Sequence, residues 1–298
     1  MHPNNLFQLT FIYCFLFLLG TLTSQAQDAG PGGVGDDTTN RYWFIADQVD
    51  QVDGTDVLNW QNLGGNADDA LDTGNPPSLN TNQLNGLSVL NFDSSNNEIL
   101  EIPDDPELNI AGPYSERTFS MVIETGTDVT TRQMIYEEGG NARGLNTYIF
   151  NGRLYYGAWN LNDDDGGGSA SPWGFSSFDT AITANTSYIL TFVFNGNNTS
   201  TGSVECYLNG DNVGTIANVG LLYTHSGSIG IGRVNDNSYI ETGSSTSNNH
   251  SFDGSVAEFI IYDNVLSDSE RISVENYLSS KYDIGLNSND IYDQDLTA

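Results

Sequence analysis

Short apolar runs recur along the chain from residue 41 onward, and clusters of Asn, Gly, Asp and Ser separate them. Runs of this length bounded by turn-forming residues are typical of β-strands. Asn151-Gly152 lies between two runs, and an Asn-Gly pair in that place is a strong signal for a two-residue hairpin turn. Many short strands at this spacing favour an antiparallel β-sandwich over alternating β and α units. The predicted strands are Tyr42–Ala46, Val57–Trp60, Ser88–Phe92, Thr118–Glu124, Gln133–Glu137, Thr147–Phe150, Leu154–Trp159, Tyr188–Phe194, Ser203–Leu208, Ser228–Gly232 and Val256–Tyr262.

A single helix, Ser267–Lys281, is predicted directly after the last strand. Ser267 and Glu270 have the spacing of a capping box, in which the Ser hydroxyl accepts from the Glu N–H and the Glu carboxylate accepts from the Ser N–H. Apolar residues then recur at helical spacing, so one face of the helix should lie against the sheets. These residues are Val274, Tyr277, Leu278 and Tyr282.

The last predicted strand carries apolar residues on both of its faces, so we expect it to be buried on both or nearly so. Strict alternation of side chains defines the two faces. Val256, Glu258, Ile260 and Tyr262 point one way, and Ala257, Phe259 and Ile261 point the other.

The chain is strongly acidic, with 39 Asp and Glu residues against 8 Lys and Arg residues and a formal net charge of −31. Such a field repels phosphate backbones, so the sequence argues against a nucleic-acid partner. It also leaves open whether some carboxylates bind a divalent cation such as calcium.

Residues 1–26 have the pattern of a secretory signal peptide. The apolar run Phe11–Leu19 is too short for a membrane span, and Ser24-Gln25-Ala26 offers small residues at the cleavage positions. The predicted mature chain begins at Gln27 and has no membrane span, so we expect a secreted or cell-surface protein. Cys206 is then its single cysteine, which excludes an intramolecular disulfide.

Two sequence blocks resemble laminin-G-like domains of the concanavalin A-like lectin and glucanase superfamily, as found in secreted Bacteroidota proteins. The C-terminal block is the stronger of the two: Phe252-Asp253-Gly254, Glu258 to Tyr262, Leu266-Ser267 to Glu270, and Tyr277-Leu278-Ser279-Ser280-Lys281-Tyr282. The N-terminal block comprises Pro31-Gly32-Gly33-Val34, Trp43 to Asp47, and Trp60.

The resemblance implies an all-β fold, an antiparallel β-sandwich of the concanavalin A-like jelly-roll type with one C-terminal capped α-helix. The chain then divides into a signal peptide (1–26), a Gly- and Asp-rich leader (27–40), the jelly-roll domain (41–286) and a polar tail (287–298).

The resemblance also implies glycoside hydrolysis as an alternative activity, because the superfamily includes glucanases. The related glucanases carry Glu-x-Asp-x-x-Glu on one strand, which places two carboxylates on the same face. This sequence contains no Glu-x-Asp, and alternation turns Glu137 and Glu138 to opposite faces. Carboxylates from different strands could still meet, so a glycan-cleaving enzyme stays an alternative, although we expect no catalytic residues.

Calcium is the cofactor that the resemblance implies, because many relatives hold this ion with an acidic residue at or just before the last strand. The matching positions are Asp253 and Glu258, while Ala257 stands where the family commonly has Asp. The alternative is that Asp253 only caps the turn into the strand.

Carbohydrate-binding modules place aromatic rings against sugar faces, and three aromatic residues suit that role here. Trp159 and Trp173 flank the acidic, Gly-rich loop 162–171, and Tyr155 precedes it. The alternative is that these rings belong to the core, as we expect for Trp43 and Trp60.

The sequence and the resemblance together predict an exported, non-catalytic recognition or adhesion module that binds a glycan or a cell-surface protein. A structural spacer from a larger surface protein is a further alternative, as is the glucanase-type enzyme.

Overall fold

The computed structural model describes residues 30–162, 172–196 and 201–292. The strands in these residues, numbered in chain order, are β1 (Asn40–Ile45), β2 (Asn59–Trp60), β3 (Ala70–Asp72), β4 (Ser78–Leu84), β5 (Leu87–Phe92), β6 (Leu100–Ile102), β7 (Glu116–Thr125), β8 (Gln133–Gly139), β9 (Arg143–Phe150), β10 (Arg153–Asn160), β11 (Gly174–Ala181), β12 (Ser187–Asn195), β13 (Gly202–Leu208), β14 (Asp211–Val219), β15 (Ile229–Ile231), β16 (Ser238–Ile240), β17 (Ser244–Thr246) and β18 (Gly254–Tyr262).

Two large sheets are built from these strands, and neighbouring strands within them run antiparallel. The first sheet has the order β14-β13-β12-β7-β18-β5-β4, and β1 pairs with the later part of β18. The second sheet has the order β11-β10-β9-β8-β15-β6-β3-β2. Strands β16 and β17 pair only with each other. The chain is therefore an antiparallel β-sandwich, as the sequence predicts.

The main core lies between the two sheets and is rich in aromatic rings. Phe119 on β7 stacks on Phe192 on β12 with 4.7 Å between ring centroids, and Tyr136 from the second sheet lies 4.8 Å from Phe119. All three are fully buried. Ring pairs at these distances add about 1 kcal/mol each beyond the apolar area that they bury.

One α-helix, α1 (Asp268–Tyr282), lies on the outer face of the first sheet. It begins at the N-cap Ser267, and both hydrogen bonds of the predicted capping box are present. A second apolar cluster joins the helix to the sheet, and in it Val274 and Leu278 are fully buried beside Val122 and Ile260. The predicted helix and its docking face are confirmed.

A β-bulge in the last strand changes which side chains share a face. Its register against β7 shifts between Val256 and Glu258. As a result Val256 joins the core between the sheets, whereas Ala257 joins the cluster under the helix. The prediction that Val256 and Glu258 share one face is wrong, because the extra residue reverses the alternation at this point.

Residues on both sides of the predicted domain also pack onto the sandwich. Gly32 has a positive φ of 66°, and an added Cβ there would lie 2.9 Å from the carbonyl oxygen of Ser273 on the helix. Val34 is buried in the cluster under the helix. In the predicted tail, the Asn287 N–H donates to the Asn209 carbonyl at 2.8 Å. The predicted signal peptide lies outside the described residues.

No helix within the described ranges is long and apolar enough to cross a membrane.

Candidate functional site

Glu258, predicted as a calcium ligand, is instead the acceptor of a buried polar cluster between the first sheet and the helix. Its Oε2 lies 2.7 Å from Lys281 Nζ and 2.8 Å from the Tyr282 hydroxyl. Its Oε1 accepts from the Trp43 indole at 2.6 Å and from the Tyr277 hydroxyl at 3.1 Å. Both carboxylate oxygens are engaged and the side chain is fully buried, so the prediction of a metal ligand at this position is wrong.

The same cluster explains the sequence blocks on which the family resemblance depends. Trp43 comes from the N-terminal block, and Tyr277, Lys281 and Tyr282 come from the C-terminal block. Their polar atoms all meet on Glu258, because a carboxylate placed away from water needs partners for its charge and lone pairs. These parts of the two blocks therefore mark how the last strand, the helix and β1 pack together.

Asp253, the other predicted calcium ligand, stands at the entrance to β18 and is partly exposed. Its backbone N–H donates to Gln133 Oε1 at 2.9 Å, and its carbonyl accepts from the Gly126 N–H. Burial, with the charges of Asp93 and Asp128 nearby, raises the pKa of its carboxyl. In the described residues no group of three His, Cys, Asp or Glu side chains is placed to hold a metal ion. Calcium binding through Asp253 stays a prediction.

Trp159 is fully buried and does not offer an open ring face to a sugar, which corrects the expectation from the sequence. It lies on the outer side of β10 and faces Gly144 on β9. An added Cβ at Gly144 would come within 2.4 Å of the Trp159 ring, so the indole lies against the sheet where a side chain is missing. The Trp159 Nε1 donates to the Gly140 carbonyl at 2.9 Å.

Trp173 and Tyr155 are partly buried and do not form one site with Trp159. Trp173 packs against the main core, and its Nε1 donates to the Leu221 carbonyl at 2.9 Å. Tyr155 stacks in parallel on Tyr148, with ring centroids 4.8 Å apart. Most of the loop between Trp159 and Trp173, residues 163–171, lies outside the described residues.

Glu137 and Glu138 on β8 do not form the pair of carboxylates that glycoside hydrolysis requires. As predicted, Glu137 and Glu138 lie on opposite sides of β8, and both are fully buried. Arg117 neutralises Glu138 across 2.5 Å, and the Tyr136 hydroxyl also donates to it. A carboxylate held in this way within the core cannot reach a substrate.

An open cleft of about 410 Å³ lies where β1 ends and β2 begins. Carboxamides and carboxylates dominate its wall, which comprises Gln48, Asp50, Gln51, Asn59, Gln61 and Asp69. Leu63 and Val49 add apolar surface, and the buried Trp60 is also among the lining residues. The cleft therefore combines a small apolar surface with many hydrogen-bonding groups.

The polar groups of this cleft are partly preorganised and partly free. Asp69 accepts from the Asn59 side chain at 3.0 Å and from the Asn62 N–H at 2.8 Å. The exposed side chains of Gln48, Asp50 and Gln61 make no hydrogen bond to the described part of the chain. Free carboxamides can both donate and accept, which suits ligands that carry hydroxyl groups. Sequence reasoning missed this site because scattered Gln and Asn residues form no motif.

No protein-family model matches the chain, and no curated protein matches it. Among solved structures it is similar to the binding domain of Paraclostridial Mosquitocidal Protein 1, with 15% identity and a TM-score of 0.54. It is also similar to the receptor binding domain of botulinum neurotoxin D, with 12% identity and a TM-score of 0.54. In both cases 82% of this chain aligns with 53% of the other, so it spans about half the length of these domains. At these identities the similarity shows a shared fold.

Proposed function

We propose that the chain is an exported, non-catalytic carbohydrate-recognition module that binds glycan through the cleft beside Gln48 and Gln61. The observation that carries this proposal is the pair of free carboxamides, Gln48 and Gln61, beside the apolar side chains of Val49 and Leu63 in an open cleft. Sugar hydroxyls both donate and accept hydrogen bonds, and carboxamide side chains match them in both roles. The toxin domains that share the fold are themselves described as binding domains, which supports recognition over catalysis.

The charge of the chain narrows the class of glycan. With a formal net charge of −31 and two carboxylates in the cleft wall, an anionic sugar would be repelled. The proposed ligand is therefore a neutral, hydroxyl-rich glycan and not a sialylated one. A laminin-G-like origin, adhesion at a cell surface and calcium binding belong to the same proposal and rest on the sequence resemblance.

The proposal is tested on a glycan array that carries matched neutral and sialylated glycans, with and without a chelator. The wild-type chain should be retained by neutral glycans, and the variant Gln48→Ala, Gln61→Ala should lose at least about tenfold in affinity, which is the effect of roughly 1.4 kcal/mol. Asn287→Ala, which removes an exposed carboxamide elsewhere on the surface, is the matched control.

Two results would overturn the proposal. Equal retention of the cleft variant and the wild type by neutral glycans would show that the cleft is not the binding site. Release of reducing sugar from a neutral glycan, lost in Asp50→Asn or Asp69→Asn, would show an enzyme in place of a binding module.

A further inference from the structure

The hairpin formed by β16 and β17 lies over the outer face of the second sheet and covers Trp159. The Tyr239 ring stacks on the Trp159 indole with 6.1 Å between centroids and an angle of 30°. Tyr239 also lies 5.4 Å from the ring of Phe175, the residue that pairs with Trp159 on β11. The indole thus has the sheet on one side and the Tyr239 ring of the hairpin on the other.

Polar groups beside Trp159 face the same hairpin. Asn146 lies over Gly157, where an added Cβ would come within 2.3 Å of its Oδ1. Its amide donates to the Ser238 hydroxyl at 2.8 Å and to the Tyr239 carbonyl at 2.7 Å. In the described chain, Asn146 Oδ1 has no hydrogen-bond partner, although the side chain is fully buried.

Glu137 extends this polar surface, because it is the cross-strand partner of Asn146. Its side chain is fully buried, and its Oε1 has no hydrogen-bond partner in the described chain. Its Oε2 accepts only a long bond of 3.4 Å from the Asn235 N–H. A buried carboxyl oxygen and a buried amide oxygen without partners are costly, and each could accept from a ligand.

The hairpin is attached to the sandwich at its roots and by side chains. After the hairpin, the His250 carbonyl accepts from the Met134 N–H on β8. Before the hairpin, the chain turns at Gly232, which has a φ of 98°. Further along, an ion pair joins Arg132 to Glu241, and Glu241 also contacts the Tyr148 hydroxyl. Between residues 238 and 246 the described chain shows no backbone–backbone hydrogen bond from the hairpin to either large sheet.

We propose that the β16–β17 hairpin is a displaceable cover, and that moving it uncovers a second carbohydrate-binding face built from Trp159, Asn146 and Glu137. Tyr239 occupies the place of a sugar ring on the indole, and the Ser238 hydroxyl takes the place of a sugar hydroxyl on the Asn146 amide. The ligand class, a neutral hexose oligosaccharide, rests on the proposed function, whereas the displaceable cover stands on the contacts of the hairpin alone.

The cover is tested first by native-state hydrogen exchange on the wild-type chain. Amides of residues 238–246 should exchange at least about a hundredfold faster than those of β9 and β10, since a part that opens locally exchanges before global unfolding. Exchange of the hairpin at the same rate as these strands would overturn the proposal.

The binding face is tested with an opened variant, Tyr239→Ser together with Glu241→Ala, made in a chain that already carries Gln48→Ala and Gln61→Ala. Because a site that is rarely open binds weakly in proportion to its open fraction, opening should strengthen binding of a β-glucan oligosaccharide by about tenfold or more. Adding Trp159→Phe should remove this gain, while Trp173→Phe should leave it.

The opened variant is made in a chain that already carries Gln48→Ala and Gln61→Ala, so that binding at the face under the hairpin is measured separately from binding in the cleft. If the cleft binds nothing but the opened variant gains affinity, the proposed function is wrong in its site and the covered face stands. An opened variant that stays folded and gains no affinity overturns the second site. An opened variant that unfolds shows that the hairpin belongs to the core and is not displaceable.

Discussion

Lys281 Nζ lies 2.7 Å from Glu258 Oε2, and this ion pair joins the end of the helix to the middle of the last strand. Lys281 keeps a fifth of its side chain exposed, whereas Glu258 is fully buried. The Lys281 charge therefore stays near water while it neutralises a carboxylate that has none. Loss of Lys281 leaves a buried carboxylate without its charge partner, whereas loss of Glu258 leaves an ammonium group that still reaches water. The effect of each loss on the free energy of unfolding can be measured.

Glu258→Ala should destabilise the fold by about 3 kcal/mol or more, because it leaves the Trp43 indole and the Tyr277 and Tyr282 hydroxyls without their shared acceptor. Urea unfolding followed by tryptophan fluorescence measures the loss. The matched variant Lys281→Met removes the charge partner of Glu258 and a donor to the Tyr277 hydroxyl, and it should also be clearly destabilising because the carboxylate stays buried. A Glu258→Ala chain as stable as the wild type would contradict the structural role of the cluster.

Val274→Asp should cost several kcal/mol, since Val274 is fully buried between the helix and the first sheet and the substitution places an unpaired charge there. Ser269→Asp, on the exposed first turn of the same helix, is the control and should change stability by less than about 0.5 kcal/mol. Thermal unfolding of both variants makes the comparison. An unchanged melting temperature for Val274→Asp would show that the helix does not dock through this face.

Calcium binding through Asp253 predicts that millimolar calcium raises the melting temperature of the wild-type chain and that a chelator reverses the rise. A ligand at a hundred times its dissociation constant adds about 2.7 kcal/mol to the stability of the folded state. Asp253→Asn should lose this response. Equal melting temperatures with calcium and with chelator in the wild type would exclude a stabilising site.

Asp253→Asn also has an effect of its own on stability. Burial and two neighbouring Asp residues raise the pKa of the Asp253 carboxyl in the folded chain, so ionisation opposes folding as the pH rises above the ordinary value. Without calcium the variant should be at least as stable as the wild type at pH 7, and any advantage should vanish in acid. A variant less stable than the wild type at pH 7 would contradict this electrostatic account.

Glu137 gives a second pH dependence, because burial and the nearby charges of Glu138 and Asp236 raise the pKa of its carboxyl well above the ordinary value. The folded chain holds the proton more tightly than the unfolded chain, so this group stabilises the fold in acid and the contribution is lost as the pH rises. Glu137→Gln should therefore be less pH-sensitive between about pH 5 and 8 than the wild type. Melting temperatures across that range check the difference, and parallel curves would contradict it.

Export of the chain predicts that the secreted form begins at Gln27. Expression in a host with a secretory pathway, followed by mass spectrometry of the medium, should find the chain without residues 1–26. Replacing Leu18 and Leu19 by Arg should abolish secretion, since a signal peptide needs an unbroken apolar region. Retention of the full chain inside the cell would contradict the proposed location.

The sequence was sufficient to predict the sandwich, the helix and its docking face, because apolar periodicity and capping residues report directly on these elements. It missed polar strands such as β4 (Ser78–Leu84) and β11 (Gly174–Ala181), which lie at sheet edges. An edge strand needs few apolar side chains, so its composition resembles that of a loop.

The roles of single residues in a site were harder to predict, because the surroundings of each side chain depend on strand register and on distant contacts. Trp159 is covered because Gly144 faces it across the strand pair and Tyr239 lies above it, and no local pattern shows either contact. Glu258 loses its predicted role because Lys281 is placed beside it by the packing of the helix. The bulge at Ala257 likewise depends on the pairing with β7.

The bond from the Trp43 indole to Glu258 spans 215 residues of sequence. Strand β1 also has its partner in β18, so the first strand of the sandwich stays unpaired until residues 258–262 have been synthesised. Contacts of such sequence separation form late and slowly. A ribosome-bound chain would therefore expose the unpaired edges of β1, β5 and β7 to solvent and to chaperones until β18 emerges. Truncation before residue 254 should yield an aggregating product in place of a smaller folded one.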